Sequence, residues 1–150
     1  MRLGDFFEPR TIIIPLQGST QEQVLSELVG CLGLDERSSE TLVRVLGRRE
    51  ELGSTGVGRG IAIPHSRSLV LSRVRLAYGY APEGVRWDAL DGRPVYHFFM
   101  IVAPPIEVSN QYLPVLGRIA TFAKEADVPE RLARLRTPEE FFALLEEKGV

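Results

Sequence analysis

The sequence is poor in cysteine, histidine, lysine and asparagine, and it has no long apolar run. A single cysteine, Cys31, rules out an internal disulfide and fits a reducing compartment, with cytoplasm as the default. The only histidines, His65 and His97, stand far apart and form no HxxxH spacing, and no CxxC occurs, so no metal site is expected. The richest early run, Ile12-Ile13-Ile14-Pro15-Leu16, is too short to cross a bilayer, and Met1 to Phe7 lacks the apolar stretch of a signal peptide. Neither export nor membrane insertion is expected. The formal net charge of −2 gives no global pull toward nucleic acid or anionic lipid, so any phosphate recognition must be local. Lysine occurs only at Lys124 and Lys148 and asparagine only at Asn110, a bias that fits a GC-rich genome or a warm habitat equally well.

What is present is ordinary globular material. With 150 residues, 44% of them hydrophobic and 25% charged, the chain matches one domain spanning residues 1–150. A domain of this size buries roughly 70% of the surface that its unfolded chain exposes, so a core forms without staples. Residues 11–16 read as a short strand. Ser19 or Thr20, followed three residues later by Glu22 or Gln23, has capping-box spacing. Val24, Leu25, Leu28, Val29 and Leu32 then recur at helical spacing over about 20–32, stopped by Gly33. A second helix follows Asp35, with Leu42, Val43, Val45 and Leu46 as its apolar face, and runs toward Arg49. Val74, Leu76, Tyr78 and Tyr80 alternate like a half-exposed strand, and Ala81-Pro82-Glu83-Gly84 reads as a turn after it. Val95 to Ala103 is almost continuously apolar, as a central strand buried on both faces would be. A long helix is expected over 111–126, a short one near 129–135, and a last one from Thr137-Pro138 with Phe141, Phe142, Leu144 and Leu145 inside. Interleaved helices and strands imply an α/β fold, a three-layer α/β/α sandwich with a mixed sheet of about five strands.

The chain is organised around residues 49–66. Gly53, Gly56, Gly58 and Gly60 alternate with small or hydroxylated residues, so the backbone there is free to approach another group closely. Ile61 to Ile63 reads as a buried strand end that delivers Pro64-His65. Proline fixes its own φ and pushes the preceding residue toward extended geometry, which holds His65 rigidly at a strand edge. That suggests a reactive imidazole. The loop fails the common nucleotide patterns, because no lysine followed by Ser or Thr is present and the glycines precede the strand. A G-x-S-x-G nucleophile elbow is absent, which speaks against a Ser-His-Asp hydrolase. His97, inside the most apolar strand, reads as a core histidine, and Cys31 as plain core. Trp87, Tyr78 and Tyr80 read as packing aromatics, and Glu139, Glu146 and Glu147 as a solvated face.

The stretch Arg49-Glu50-x-x-Gly53-Ser54-Thr55-Gly56-Val57-Gly58-x-Gly60-Ile61-Ala62-Ile63-Pro64-His65 resembles the phosphorylation-site motif of the fructose/mannitol (type 2) EIIA domains of the phosphoenolpyruvate-dependent sugar phosphotransferase system, nitrogen-regulatory EIIA proteins included. The resemblance covers the whole chain in family order. It implies that His65 accepts a phosphoryl group from a phosphorylated HPr-like carrier and passes it to the cysteine of an EIIB partner, with Arg49 contacting the phosphoryl group. No cofactor is implied, and the protein would be a phosphohistidine carrier more than a multi-substrate enzyme. Phosphoryl transfer needs positioning and charge stabilisation, so backbone N–H groups from Ser54 to Gly58, the hydroxyl of Ser54 or Thr55, and the fork of Arg49 are the expected phosphate contacts, Gly56 and Gly58 among them. A backbone carbonyl accepting from Nδ1–H would leave Nε2 as the nucleophile. Two departures stand out. Tyr112, followed by Leu113, occupies the position of the family's second active-site histidine, and tyrosine cannot bring positive charge near neutral pH. Ser66 replaces the glycine common after the first histidine. Because no further domain follows Val150, an EIIB acceptor is expected in trans. A transport subunit and a regulator whose phosphorylation state is read by protein partners share this chemistry, and the lost histidine tilts toward the regulator. A binding module that keeps the fold without being phosphorylated is the alternative, against which Arg49 and His65 argue.

Overall fold

In the computed structural model, which describes residues 1–150, the apolar run Val95–Ala103 forms strand β6, with every residue buried except the half-buried Tyr96. Its alternation serves two cores at once, because successive side chains leave a strand on opposite faces. Phe98, Met100 and Val102 point to one face, where they meet Val24, Leu28, Leu42 and Leu46 from α1 (Gln21–Gly30) and α2 (Glu36–Leu52). Phe99, Ile101 and Ala103 point to the other. There they meet Val115, Ile119, Phe122, Val128, Leu132, Phe141 and Leu145 from α3 (Tyr112–Lys124), α4 (Val128–Ala133) and α5 (Pro138–Glu147). The result is the expected three layers. No helix is long and apolar enough to cross a membrane.

The sheet is mixed. Strand β5 (Arg75–Val85) pairs antiparallel with β6, Tyr78 opposite Phe99, and β1 (Ile12–Ile13) lies parallel beside β5. On the other side of β6 come two short parallel strands in line, β3 (Ile61–Ala62) opposite His97 and Phe98, then β4 (His65–Arg67) opposite Ile101 to Ala103. Strand β2 (Gly56–Gly58) closes that edge antiparallel to β3. Six strands thus fill five positions.

The helix starts follow side-chain chemistry. Thr20, Asp35 and Thr137 each accept a hydrogen bond from the backbone N–H three residues on, at 3.2, 2.8 and 3.2 Å, so exposed donors of the first turn are satisfied. Several boundaries differ from expectation. The early strand shrinks to Ile12–Ile13 because Pro15 has no N–H for the ladder, which resumes only where the Leu16 N–H donates to Tyr80 O at 2.7 Å. The first helix ends at Gly30 instead of 32. The second continues past Arg49 to Leu52. Ala81-Pro82-Glu83-Gly84 is not a turn between elements: β5 runs on to Val85 through a register irregularity, with Gly84 at φ 76. Proline and glycine break the ladder locally without ending the strand.

His97 is a core histidine. Its ring is buried, the Tyr78 phenol lies 2.8 Å from Nδ1, and burial pushes its pKa down to about 4, so the ring is neutral in the folded protein. Trp87 packs edge-on against Phe98 with ring centres 4.7 Å apart. Cys31 is half-buried at the end of α1, with its thiol donating to Leu28 O at 2.9 Å.

Two glycines predict stability changes of opposite sign. A Cβ on Gly79 in β5 would sit 2.6 to 2.9 Å from three side-chain carbons of buried Leu16, so Gly79→Ala lowers stability by about 1–2 kcal/mol. A Cβ on Gly47 inside α2 meets nothing within 4 Å, so Gly47→Ala raises stability by about 0.5–1 kcal/mol, both read from denaturant midpoints. The Cys31 thiol is pushed up by burial to about 11. Below that pH the folded chain holds less thiolate than the unfolded one, so alkylation at pH 8 is ~100-fold slower in the native protein, and the difference closes as pH rises through about 11.

Candidate functional site

His65 stands just after a two-residue interruption of the sheet, Ile63 and Pro64. Ile61 and Ala62 pair with β6, but Ile63 turns the other way and its N–H donates to Thr55 O at 3.0 Å. Pro64 has no N–H to give; its carbonyl accepts from Ile101 N–H at 2.9 Å, and pairing resumes at His65. The carbonyl of Ile63 is left facing the imidazole, with O and Nδ1 2.6 Å apart. A carbonyl can only accept, so Nδ1 carries a proton, and in the neutral imidazole the lone pair then lies on Nε2. Nε2 has no protein partner, and the side chain is half-buried.

Arg49 stands in the last turn of α2, half-buried, with Nη1 donating to Gly53 O at 2.7 Å. The next residue, Glu50, is buried and holds the loop that follows. Its carboxylate accepts the Thr55 N–H at 2.9 Å and the Thr55 hydroxyl, while Trp87 Nε1–H reaches Thr55 Oγ1 at 3.4 Å. The Ser54 hydroxyl donates to Trp87 O at 3.0 Å and accepts the Gly56 N–H, also at 3.0 Å. Glu50 completes the buried stripe Leu42-Leu46-Glu50 of α2, where a charged residue had no apolar signal to betray it.

The expected phosphate cradle is therefore divided. Thr55 hydroxyl and N–H, Ser54 hydroxyl and Gly56 N–H are all committed to structural bonds. Gly58 lies further off, because the β2–β3 hairpin runs away from His65: Gly58 pairs with Ile61, which faces His97, whereas His65 faces Ile101, four residues along β6 and thus about 13 Å away. The hairpin's tip has another task. Arg59, at φ 60, donates to the carbonyls of Lys124 at 2.7 Å, Glu125 at 3.2 Å and Ala126 at 3.3 Å, capping the C-terminal end of α3.

The other end of α3 meets His65. Tyr112 is the first residue of that helix, 8% exposed, with its ring centre 6.2 Å from that of His65. Over its face lies Arg67, whose guanidinium carbon is 4.5 Å from the ring centre. Burial pushes the Tyr112 phenol up to about 12, against the pull of the nearby Arg67 and Arg49 charges, so it stays a hydrogen-bond donor through the physiological range. Arg67 went unnoticed in the sequence. Its one signal was position: residues 65 and 67 of an extended segment share a face. The site thus brings together an imidazole nitrogen without a protein partner, two guanidiniums and a phenol O–H. Neither guanidinium has a carboxylate partner, which suits an incoming group of high negative charge.

This fold is that of an EIIA domain, and the chain belongs to the family described as phosphoenolpyruvate-dependent sugar phosphotransferase system, EIIA 2, whose profile matches residues 5–148. Among its relatives is the nitrogen regulatory protein of Pseudomonas aeruginosa, 32% identical over 97% of this chain and 95% of that one. The crystal structure of the nitrogen regulatory protein IIA-Ntr from Neisseria meningitidis superposes with a TM-score of 0.86 at 28% identity, covering 95% of this chain and 98% of the other. The mannitol EIIA of Escherichia coli, solved in complex with phosphorylated mannitol EIIB, shares the fold at a TM-score of 0.72 and 21% identity, over 94% of this chain and 99% of that one.

The loop bonding predicts the outcome of Thr55→Val, which keeps the side-chain shape but leaves a Glu50 carboxylate oxygen and the Trp87 N–H without the hydroxyl. Stability falls by about 1–3 kcal/mol in chemical denaturation.

Proposed function

We propose that the protein is a phosphohistidine carrier of regulatory type, which takes a phosphoryl group onto His65 Nε2 from a phosphorylated HPr-like carrier. The observation that carries this is the 2.6 Å contact between Nδ1 and Ile63 O, which leaves the other ring nitrogen as an aimed nucleophile. In the acceptance step the Nε2 lone pair forms a bond to phosphorus while the bond between phosphorus and the carrier breaks, its electron pair staying with the carrier. The Nδ1 proton remains on the ring, and Ile63 O stabilises the positive charge that the phosphorylated imidazole acquires. Arg49 faces the three phosphoryl oxygens, whose spread negative charge suits a planar guanidinium. Tyr112 donates its O–H to one of them. In release, an EIIB cysteine thiolate arriving in trans attacks phosphorus and the N–P bond breaks, with its electron pair returning to Nε2.

Within the loop, Ser54 stands one residue nearer His65 than Thr55 does in the antiparallel pairing, so it is the hydroxyl best placed to turn from Trp87 O toward a phosphoryl oxygen. The regulatory role is favoured by full-length likeness to nitrogen regulatory proteins: the phosphorylation state is then the output, read by cytoplasmic protein partners.

The test is labelling from phosphoenolpyruvate through the general phosphocarrier proteins of the system. Wild type gains acid-labile label and His65→Ala gains none; Arg49→Gln accepts it at least ~10-fold more slowly. Equal label on wild type and His65→Ala overturns the proposal.

A further inference from the structure

We propose that Arg67, carried on the face of Tyr112, provides the second positive charge at the phosphoryl site, beside Arg49. The inference rests on His65 being the phosphorylated residue.

Four observations lead to it. Arg67 and His65 lie on the same side of β4, two residues apart, and both reach Tyr112: the His65 ring at 6.2 Å between centres and the guanidinium carbon at 4.5 Å from the Tyr112 ring centre. The guanidinium is held from behind by a single nitrogen, Nη1, which donates to Pro104 O at 2.8 Å and Ser109 O at 3.3 Å. Its Nη2 and Nε donors have no protein acceptor, and no carboxylate neutralises it. Finally, the phenol that supports it is buried and feels both Arg67 and Arg49.

This arrangement is built for charge without titration. A guanidinium stacked on an aromatic face is fixed in plane and keeps its remaining N–H groups free for an anion. Tyrosine at 112 is then not a loss of charge: a flat ring is the platform that a stacked arginine requires, and its O–H adds a neutral donor. A histidine in the same place would carry positive charge only below its pKa, ordinarily about 6.5. With Arg49 reaching from α2, Arg67 from β4 and Tyr112 from α3, the groups that converge on His65 hold two permanent charges across the neutral range.

The experiment measures single-turnover phosphoryl acceptance from the phosphorylated carrier at saturating carrier concentration. Arg67→Gln is expected to lower the maximal rate ~10- to 100-fold, with the half-saturating carrier concentration little changed, and Arg67→Lys to recover most of the rate. In the double variant Arg67→Gln with Tyr112→His, the rate recovers below about pH 6.5 and is lost above it, because only the imidazolium then restores the charge. Circular dichroism establishes that each variant is folded. An unchanged maximal rate in folded Arg67→Gln, a change confined to half-saturation, or no recovery with lysine overturns the inference while leaving the phosphohistidine intact. Absence of label on wild type, or equal label on His65→Ala, overturns both.

Discussion

The site depends on where the backbone groups point at the junction of β3 and β4. Pro64 O accepts from Ile101 N–H on β6, so the alternation along the chain turns the backbone groups of Ile63 away from β6 and toward Thr55. Ile63 N–H donates to Thr55 O, but the reciprocal Thr55 N–H is taken by the Glu50 carboxylate at 2.9 Å, so the Ile63 carbonyl is left for Nδ1. One diverted N–H, that of Thr55, therefore sets which nitrogen of the histidine donates. The strand that accepts the broken partner is β6, the most buried element of the molecule, so the reactive group rests on the least mobile part of the sheet.

Electrostatics explains how the rest of the chain serves that histidine. The overall charge is slightly negative, yet the ion pairs lie away from the site, among them Glu8 with Arg10, Arg73 and Arg75, and Glu147 with Arg131. Arg49 and Arg67 are left with backbone carbonyls alone, which orient a guanidinium without cancelling its charge. A buried phenol near both keeps its proton and so adds a donor without adding negative charge.

The glycine-rich loop proved more structural than its composition implied. Gly56 and Gly58 shape a hairpin, a Cβ at Gly56 would clash with Ala89, and the hairpin's Arg59 caps the far end of α3. Glu50, Thr55, Trp87 and Ser54 form one chain of hydrogen bonds that fastens the end of α2 to the segment after β5. The loop's backbone donors are thus mostly occupied. Its use lies in where it sets Arg49 and α3 relative to His65.

Much of this was legible in the sequence, for local reasons. A continuous apolar run assigned the strand 95–103 and period-3.6 patterning the amphipathic helices; Thr20, Asp35 and Thr137 announced helix starts; and the Ile-Ala-Ile-Pro-His order contained the strand end and the histidine it presents. Each depends on neighbours within a few residues. What the tertiary structure alone decided is which distant groups share a space. Arg67 reaches Tyr112, 45 positions away in sequence, because β4 and the start of α3 meet at the same end of the sheet, and Glu50 becomes a buried anchor only once Thr55 and Trp87 close over it. Residue order within a segment governs backbone hydrogen bonding, and so the reactive nitrogen of His65 was foreseeable; the charges around it were not, because they depend on how separate elements cross.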